Sequence, residues 1–289
     1  MSAPVVVAGR PQPPYVGTSV EQVLKLARYQ FRDYLRSRRY VLMMAIVGII
    51  GAILTAVLAY FRPAGLIDTS SAFYGTFWGG GASIVIVFAG VIFGGDAIAG
   101  EFQNKTGYFL MGLPIRRATI YVGKYLAALA ASLTAMAVFL LILLANGVYY
   151  LGADAFPWQL GASFLLAIVY LFALLGTTFL FSSMFKTSAY ATLVVAILFL
   201  FGFSILQELV VVLGKIEPWF VISYASSILG TIFDNPYPAH ITHTPGFGPG
   251  SPMVTTYTPT IVEGIAIMLG YFVITAVLGL VLFEREEFT

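Results

Sequence analysis

The most closely grouped reactive side chains in the middle of the chain are Asp96, Glu101 and Lys105, followed by Arg116, Arg117 and Lys124. Asp96 and Glu101 stand about a turn and a half apart if the stretch is helical. Gly107 is placed to end such a helix and Pro114 to begin the next. A short charged segment punctuated in this way, with Phe102 in it, suits force transfer from a soluble partner; the same pattern also serves a solvated connector. No Ser/His pair, paired carboxylate or zinc-ligand cluster accompanies it within the apolar segments, so no catalytic residue is expected. A phosphate-cradling loop needs Gly-x-x-x-x-Gly-Lys-Ser/Thr after a strand. The Gly-Lys pairs here are Gly123-Lys124-Tyr125 and Gly214-Lys215-Ile216, and neither supplies the hydroxyl that would meet magnesium. If ATP drives the protein, another polypeptide must bind it. His240-Ile241-Thr242-His243, with Asp234 nearby, offers two imidazoles and no clear third ligand, so no metal site is expected.

The composition dictates what must position these groups. Hydrophobic residues make up 59% of the chain and charged residues 10%, far below the roughly 25% that wets a soluble domain. The solvent must therefore be lipid. Cysteine is absent, which removes disulfides, thiolate nucleophiles and iron-sulfur ligation. A formal net charge of +2 is too small to suggest nucleic acid. Charge-free runs long enough to cross a bilayer extend over Tyr40 to Phe61, Thr69 to Gly95, Tyr125 to Ala153, Ala155 to Phe185, Thr187 to Gln207 and Gly264 to Phe283. They are apolar on all sides, unlike barrel strands, and read as six transmembrane helices. The fold expected is an all-α integral membrane protein with a leader over residues 1–39 and a membrane domain over 40–289.

Basic residues fix the expected orientation. With the N-terminus inside, Arg10, Lys25, Arg28, Arg32, Arg36, Arg38, Arg39, Lys105, Arg116, Arg117, Lys124, Lys186 and Arg285 are cytoplasmic; Arg62 and Lys215 are outside. An even number of spans returns the C-terminus to the cytoplasm. Val20, Val23, Leu24, Ala27, Phe31, Tyr34 and Leu35 recur at helical spacing opposite a basic face, and Thr18-Ser19-Val20-Glu21 supplies a capping box. This helix reads as an elbow on the inner leaflet, or as one buried against another subunit. Between the fifth and sixth spans, the outer segment 215–258 divides into an aromatic stretch, Trp219 to Phe233, expected as a re-entrant or interfacial helix, and a Pro/Gly/Thr-rich irregular loop. Gln207, Glu208, Asn146 and Glu263 lie near outer boundaries, where snorkelling to water is expected. Gly90 and Gly94 form a small-residue face.

The stretch GDAIAGEFQNKTGYFLMGLPIRRATIYVGKYLAALAASL, with Asp96, Glu101, Gly107, Pro114 and Lys124 in this order, resembles the signature of ABC-2-type permeases, including the NosY-like branch. The similarity extends to the basic leader, the six spans and the inner turn Ser182-Ser183-Met184-Phe185-Lys186-Thr187-Ser188. The long Pro/Gly-rich outer loop departs from it. The resemblance implies that the segment from Asp96 to Gly107, with Phe102 and Lys105, is a coupling helix docked on an ATPase. Asp96 and Glu101 would meet basic groups at the joint, while Arg116, Arg117 and Lys124 would hold it or bind lipid phosphate. It also implies export, two permeases and two ATPases in the cell membrane, and ATP with magnesium bound by the partner, with no cofactor in this chain. An ATP-independent secondary transporter or channel is the alternative, though few ionisable groups lie at mid-membrane. No pattern names a substrate.

Overall fold

The computed structural model describes residues 18–63, 65, 68–104, 115–152, 156–245 and 253–285. Helix α1 (Ser19–Arg36) starts where the Thr18 hydroxyl accepts the Glu21 amide at 3.4 Å, satisfying one of the amides left free at a helix N-terminus. A break at Ser37 separates it from α2 (Arg38–Phe61), and the Ser37 hydroxyl caps that helix through the Tyr40 amide. Then come α3 (Ser70–Gly94), a turn, the short α4 (Ala99–Gln103), α5 (Arg117–Leu151), α6 (Trp158–Met184) and α7 (Ser188–Gly214), the last carrying π-helical turns at Leu198–Gly202 and Val210–Gly214. Two short helices, α8 (Ile222–Ser226) and α9 (Ile228–Thr231), and a hairpin of β1 (Ile241–Pro245) and β2 (Met253–Tyr257) precede α10 (Ile261–Arg285). Among the described residues, six helices are long and apolar enough to cross a membrane: α2, α3 continued to Gln103, α5, α6, α7 and α10.

The two span boundaries that differ most from the charge-free runs do so for one physical reason. Helix α5 begins at Arg117, not Tyr125, because Lys124 is paired within the bundle and does not end the buried segment. Helix α7 runs past Gln207 and Glu208 to Gly214; the Gln207 amide oxygen accepts the Ser223 hydroxyl at 2.7 Å, so that polar side chain is satisfied by the neighbouring segment. Asn146 is likewise no snorkelling residue. It is 8% exposed and donates to Thr55 Oγ1 at 3.0 Å and to the Ile142 carbonyl at 2.9 Å, joining α5 to α2.

Helix α3 lies at the centre of the bundle. Its small-residue face packs within the chain: a Cβ at Gly90 would collide with Leu174 and one at Gly94 with Thr178, both on α6. Trp78 donates its indole N–H to Ser163 Oγ at 2.9 Å, and Ser163 donates to the Leu229 carbonyl at 2.6 Å, so one buried hydroxyl links α3, α6 and α9. Helix α1 packs along α5, where Gly123 leaves room for Leu26.

The segment before the last span corrects the sequence expectation. In place of one helix over Trp219 to Phe233 there are two short helices, whose Ile222, Tyr224, Ala225, Ile228 and Leu229 are buried. The stretch read as irregular contains an antiparallel hairpin pairing Ile241 with Tyr257 and His243 with Thr255. Its strands are rich in Ile, Val, Thr and Tyr, which favour pleated backbone, and they outweigh the surrounding Pro and Gly.

Candidate functional site

One end of the bundle carries a charged joint. Below α3 the chain turns tightly against α7: a Cβ at Gly95 would stand 2.6 Å from the Val91 carbonyl oxygen and 3.1 Å from the Thr192 Cα of α7, so only glycine fits the turn. Asp96 follows in that turn, not on the helix expected to carry both acids; among the described residues the helix itself is Ala99–Gln103 and holds Glu101 alone.

Each polar group of the turn meets a different helix. The Asp96 carboxylate pairs with the Arg39 guanidinium in the first turn of α2. Lys124 of α5 is 5% exposed and donates to the Ala97 carbonyl at 3.0 Å and to Glu101 Oε1 at 2.5 Å. A buried ammonium needs such partners, because an unpaired charge in that environment costs several kcal/mol. Ser182 of α6 accepts the Ile98 and Ala99 amides at 3.0 Å each, so α4, which has no cap of its own, is capped by a hydroxyl from another span. Gln103 accepts the Ser188 amide at 2.9 Å at the start of α7. From α1, the Tyr34 hydroxyl donates to the Phe93 carbonyl at 3.1 Å. Burial, and next the Asp96 charge, push the Tyr34 phenol well above its ordinary pKa, so it stays a neutral donor. A cleft of about 270 Å³ opens here, lined by Gln30, Asp33, Tyr34, Arg39, Asp96 and Lys124 among others.

Of the residues singled out in the sequence, the structure brings together Asp96, Glu101 and Lys124. Phe102 packs half-buried against the core beside them. Arg116 is exposed at the start of α5, and Arg117 donates to the Glu284 carbonyl at 2.7 Å, linking α5 to the end of α10 away from the joint. Lys105, Gly107 and Pro114 lie outside the described residues. Sequence reasoning did not assign Arg39, Ser182 or Gln103 to the joint. Ser182 and Ser188 stood in the inner serine turn that carried the family resemblance, which was the available signal.

At the opposite end, the two histidines part company. His243 Nδ1 pairs with Thr255 Oγ1 at 3.1 Å across the hairpin, whereas His240 lies 3.2 Å from Glu217. Asp234 is exposed and belongs to a separate cleft, lined with Ser71, Gly75, Gly79, Ser226 and Gly230 among others.

The described residues thus form a six-span bundle with a charged turn tied to the feet of its helices. No curated protein matches the chain closely enough to count as a relative. A family model described as "ABC-2 family transporter protein" matches residues 24–288, from within α1 to beyond α10, and the chain therefore belongs to the ABC-2 family, whose multi-pass permease components normally work with an ATPase partner in a membrane.

Proposed function

We propose that the chain is the permease of an ATP-driven exporter in the cell membrane, with its charged joint and both termini in the cytoplasm. Two copies form the pathway, and two copies of a separate ATPase, which bind ATP and magnesium, drive it. The observation that carries this reading is the wiring of α4. The five-residue helix, together with the turn that precedes it, is bonded through Arg39, Lys124, Ser182 and Ser188 to α2, α5, α6 and α7. Force applied at its exposed end, Gln103 and Asn104, reaches four spans through short bonds, without a compliant lever. In this mechanism Asp96, Glu101 and Lys124 hold the lever while Phe102, Asn104 and the following Lys105, Gly107 and Pro114 meet the ATPase. Arg116, exposed, meets lipid phosphate; Arg117 holds the α10 end. Helix α1, with exposed Val20, Leu24, Arg28 and Arg32, lies on the inner leaflet.

The test is purification of the tagged chain from its own membranes. A stoichiometric ATPase is expected with it, and Asn104→Glu, at an exposed position, is expected to release that ATPase or its stimulation without loss of the folded permease. Absence of any ATPase, together with cargo flux that follows an ion gradient, would make the chain an ion-driven carrier instead.

A further inference from the structure

The end of the bundle opposite the joint holds a second constellation, drawn from three separate elements. Glu217 follows α7, His240 immediately precedes β1, and Glu263 lies in the first turn of α10. One ligand atom from each lies within 4.8 Å of the other two. We propose that Glu217, His240 and Glu263 bind a divalent transition-metal ion, zinc above all, which staples the hairpin to the two spans that flank it.

Hydrogen bonding orients each ligand. His240 Nδ1 lies 2.9 Å from the Thr258 carbonyl, which can only accept, so Nδ1 carries a proton and the other ring nitrogen is left to face Glu217 Oε2 at 3.2 Å. A second nitrogen–hydrogen held by a backbone carbonyl is the usual way a metal-binding imidazole is fixed. The Tyr224 hydroxyl donates to Glu217 Oε1 at 2.5 Å, leaving Oε2 for the site. Glu263 Oε2 accepts the Thr260 amide at 3.2 Å and the Thr260 hydroxyl accepts the Glu263 amide at 3.3 Å, a capping box that holds this carboxylate in place. When the imidazole is neutral, its free nitrogen and the two carboxylates turn lone pairs toward one point, an arrangement that a bound cation relieves. Donor atoms around tetrahedral zinc stand about 3.3 Å apart when each bond is about 2.0–2.1 Å. The His240–Glu217 separation already matches that spacing. One imidazole and two carboxylates leave the fourth position for water, and nitrogen–oxygen donors of this kind suit zinc better than calcium or magnesium.

The inference does not depend on which end faces the cytoplasm or on the ATPase. Full-length protein in detergent, stripped with chelator, is titrated with zinc chloride by calorimetry. One saturable equivalent is expected, with a rise in unfolding temperature. His240→Ala and Glu263→Gln should each abolish both effects, Tyr224→Phe should weaken binding about tenfold, and His243→Ala should change neither. Cobalt chloride on the unaltered chain gives an independent reading: intense visible bands of a four-coordinate ion are expected, competed away by zinc. Absence of saturable zinc binding, binding indifferent to His240→Ala, or a cobalt spectrum no different from the hydrated ion overturns the proposal. If the variants fail to fold, the cobalt spectrum still decides.

Discussion

Lys124 is nine-tenths buried and yet carries a charge, and its ammonium is satisfied by two groups of one turn, the Ala97 carbonyl and the Glu101 carboxylate. Removing one member of such a pair strands the other. Lys124→Met should therefore destabilise the chain by about 3 kcal/mol, and adding Glu101→Gln should restore most of the loss, since an apolar or neutral pair avoids the desolvation that the ion pair repays. Arg39→Gln should cost less, because the Arg39 side chain is 50% exposed and screened by water, and the Asp96 carboxylate, 10% exposed, keeps the Lys124 charge nearby. Denaturant unfolding in detergent, read as a double-mutant cycle, gives the comparison; equal losses for Lys124→Met and Arg39→Gln would contradict this ranking. Asp96, Glu101 and Lys124 were legible in the sequence because ionisable groups stand out against long apolar runs. Their partners were not. Ser182 meets Ile98 across 84 positions, and no local spacing records a contact made by two helices coming together.

Helix α3 bears two neighbouring glycines with opposite surroundings, and they separate packing from propensity. A Cβ at Gly79 would stand 2.5 Å from the backbone Cα of Gly230 on α9, an atom that cannot swing aside, whereas a Cβ at Gly80 meets nothing within 4 Å. Gly79→Ala should push α9 off the bundle and cost about 1–3 kcal/mol. Gly80→Ala should be neutral or stabilise by up to about 1 kcal/mol, because alanine loses less backbone entropy in a helix. Thermal unfolding of the two variants side by side checks the sign as well as the size. At this scale the six long helices were readable from length and hydropathy alone, since lipid demands both. The short elements were not: α8, α9 and the hairpin derive their stability from burial against α3, α6 and α10 and from pairing with each other, and their own sequences are too short to announce it. The Pro- and Gly-rich stretch around the hairpin masked strands that the β-branched residues of Ile241–Pro245 and Met253–Tyr257 carry.

Burial is shared unevenly among the spans, and the unevenness describes how the bundle sits in its surroundings. The central apolar window of the span formed by α3 and α4 is 78% buried, against 17% for α7 and 17% for α10. The span that is most enclosed is thus the one that ends in the charged joint, whereas α7 and α10 leave most of their apolar surface outside the core of the bundle. Such an arrangement requires the joint and the hairpin to lie on opposite sides of the membrane, separated by three spans. The chain has no native cysteine, so single cysteines report its topology without further engineering. Asn104→Cys and Asp234→Cys are both at exposed positions. With the joint in the cytoplasm, a membrane-impermeant maleimide should label Asp234→Cys in intact cells and Asn104→Cys only in inside-out vesicles. Labelling of both from one side would break the six-span reading, and the reverse pattern would keep the bundle but turn it over, removing the ATPase from reach of α4 and with it the proposed direction of force.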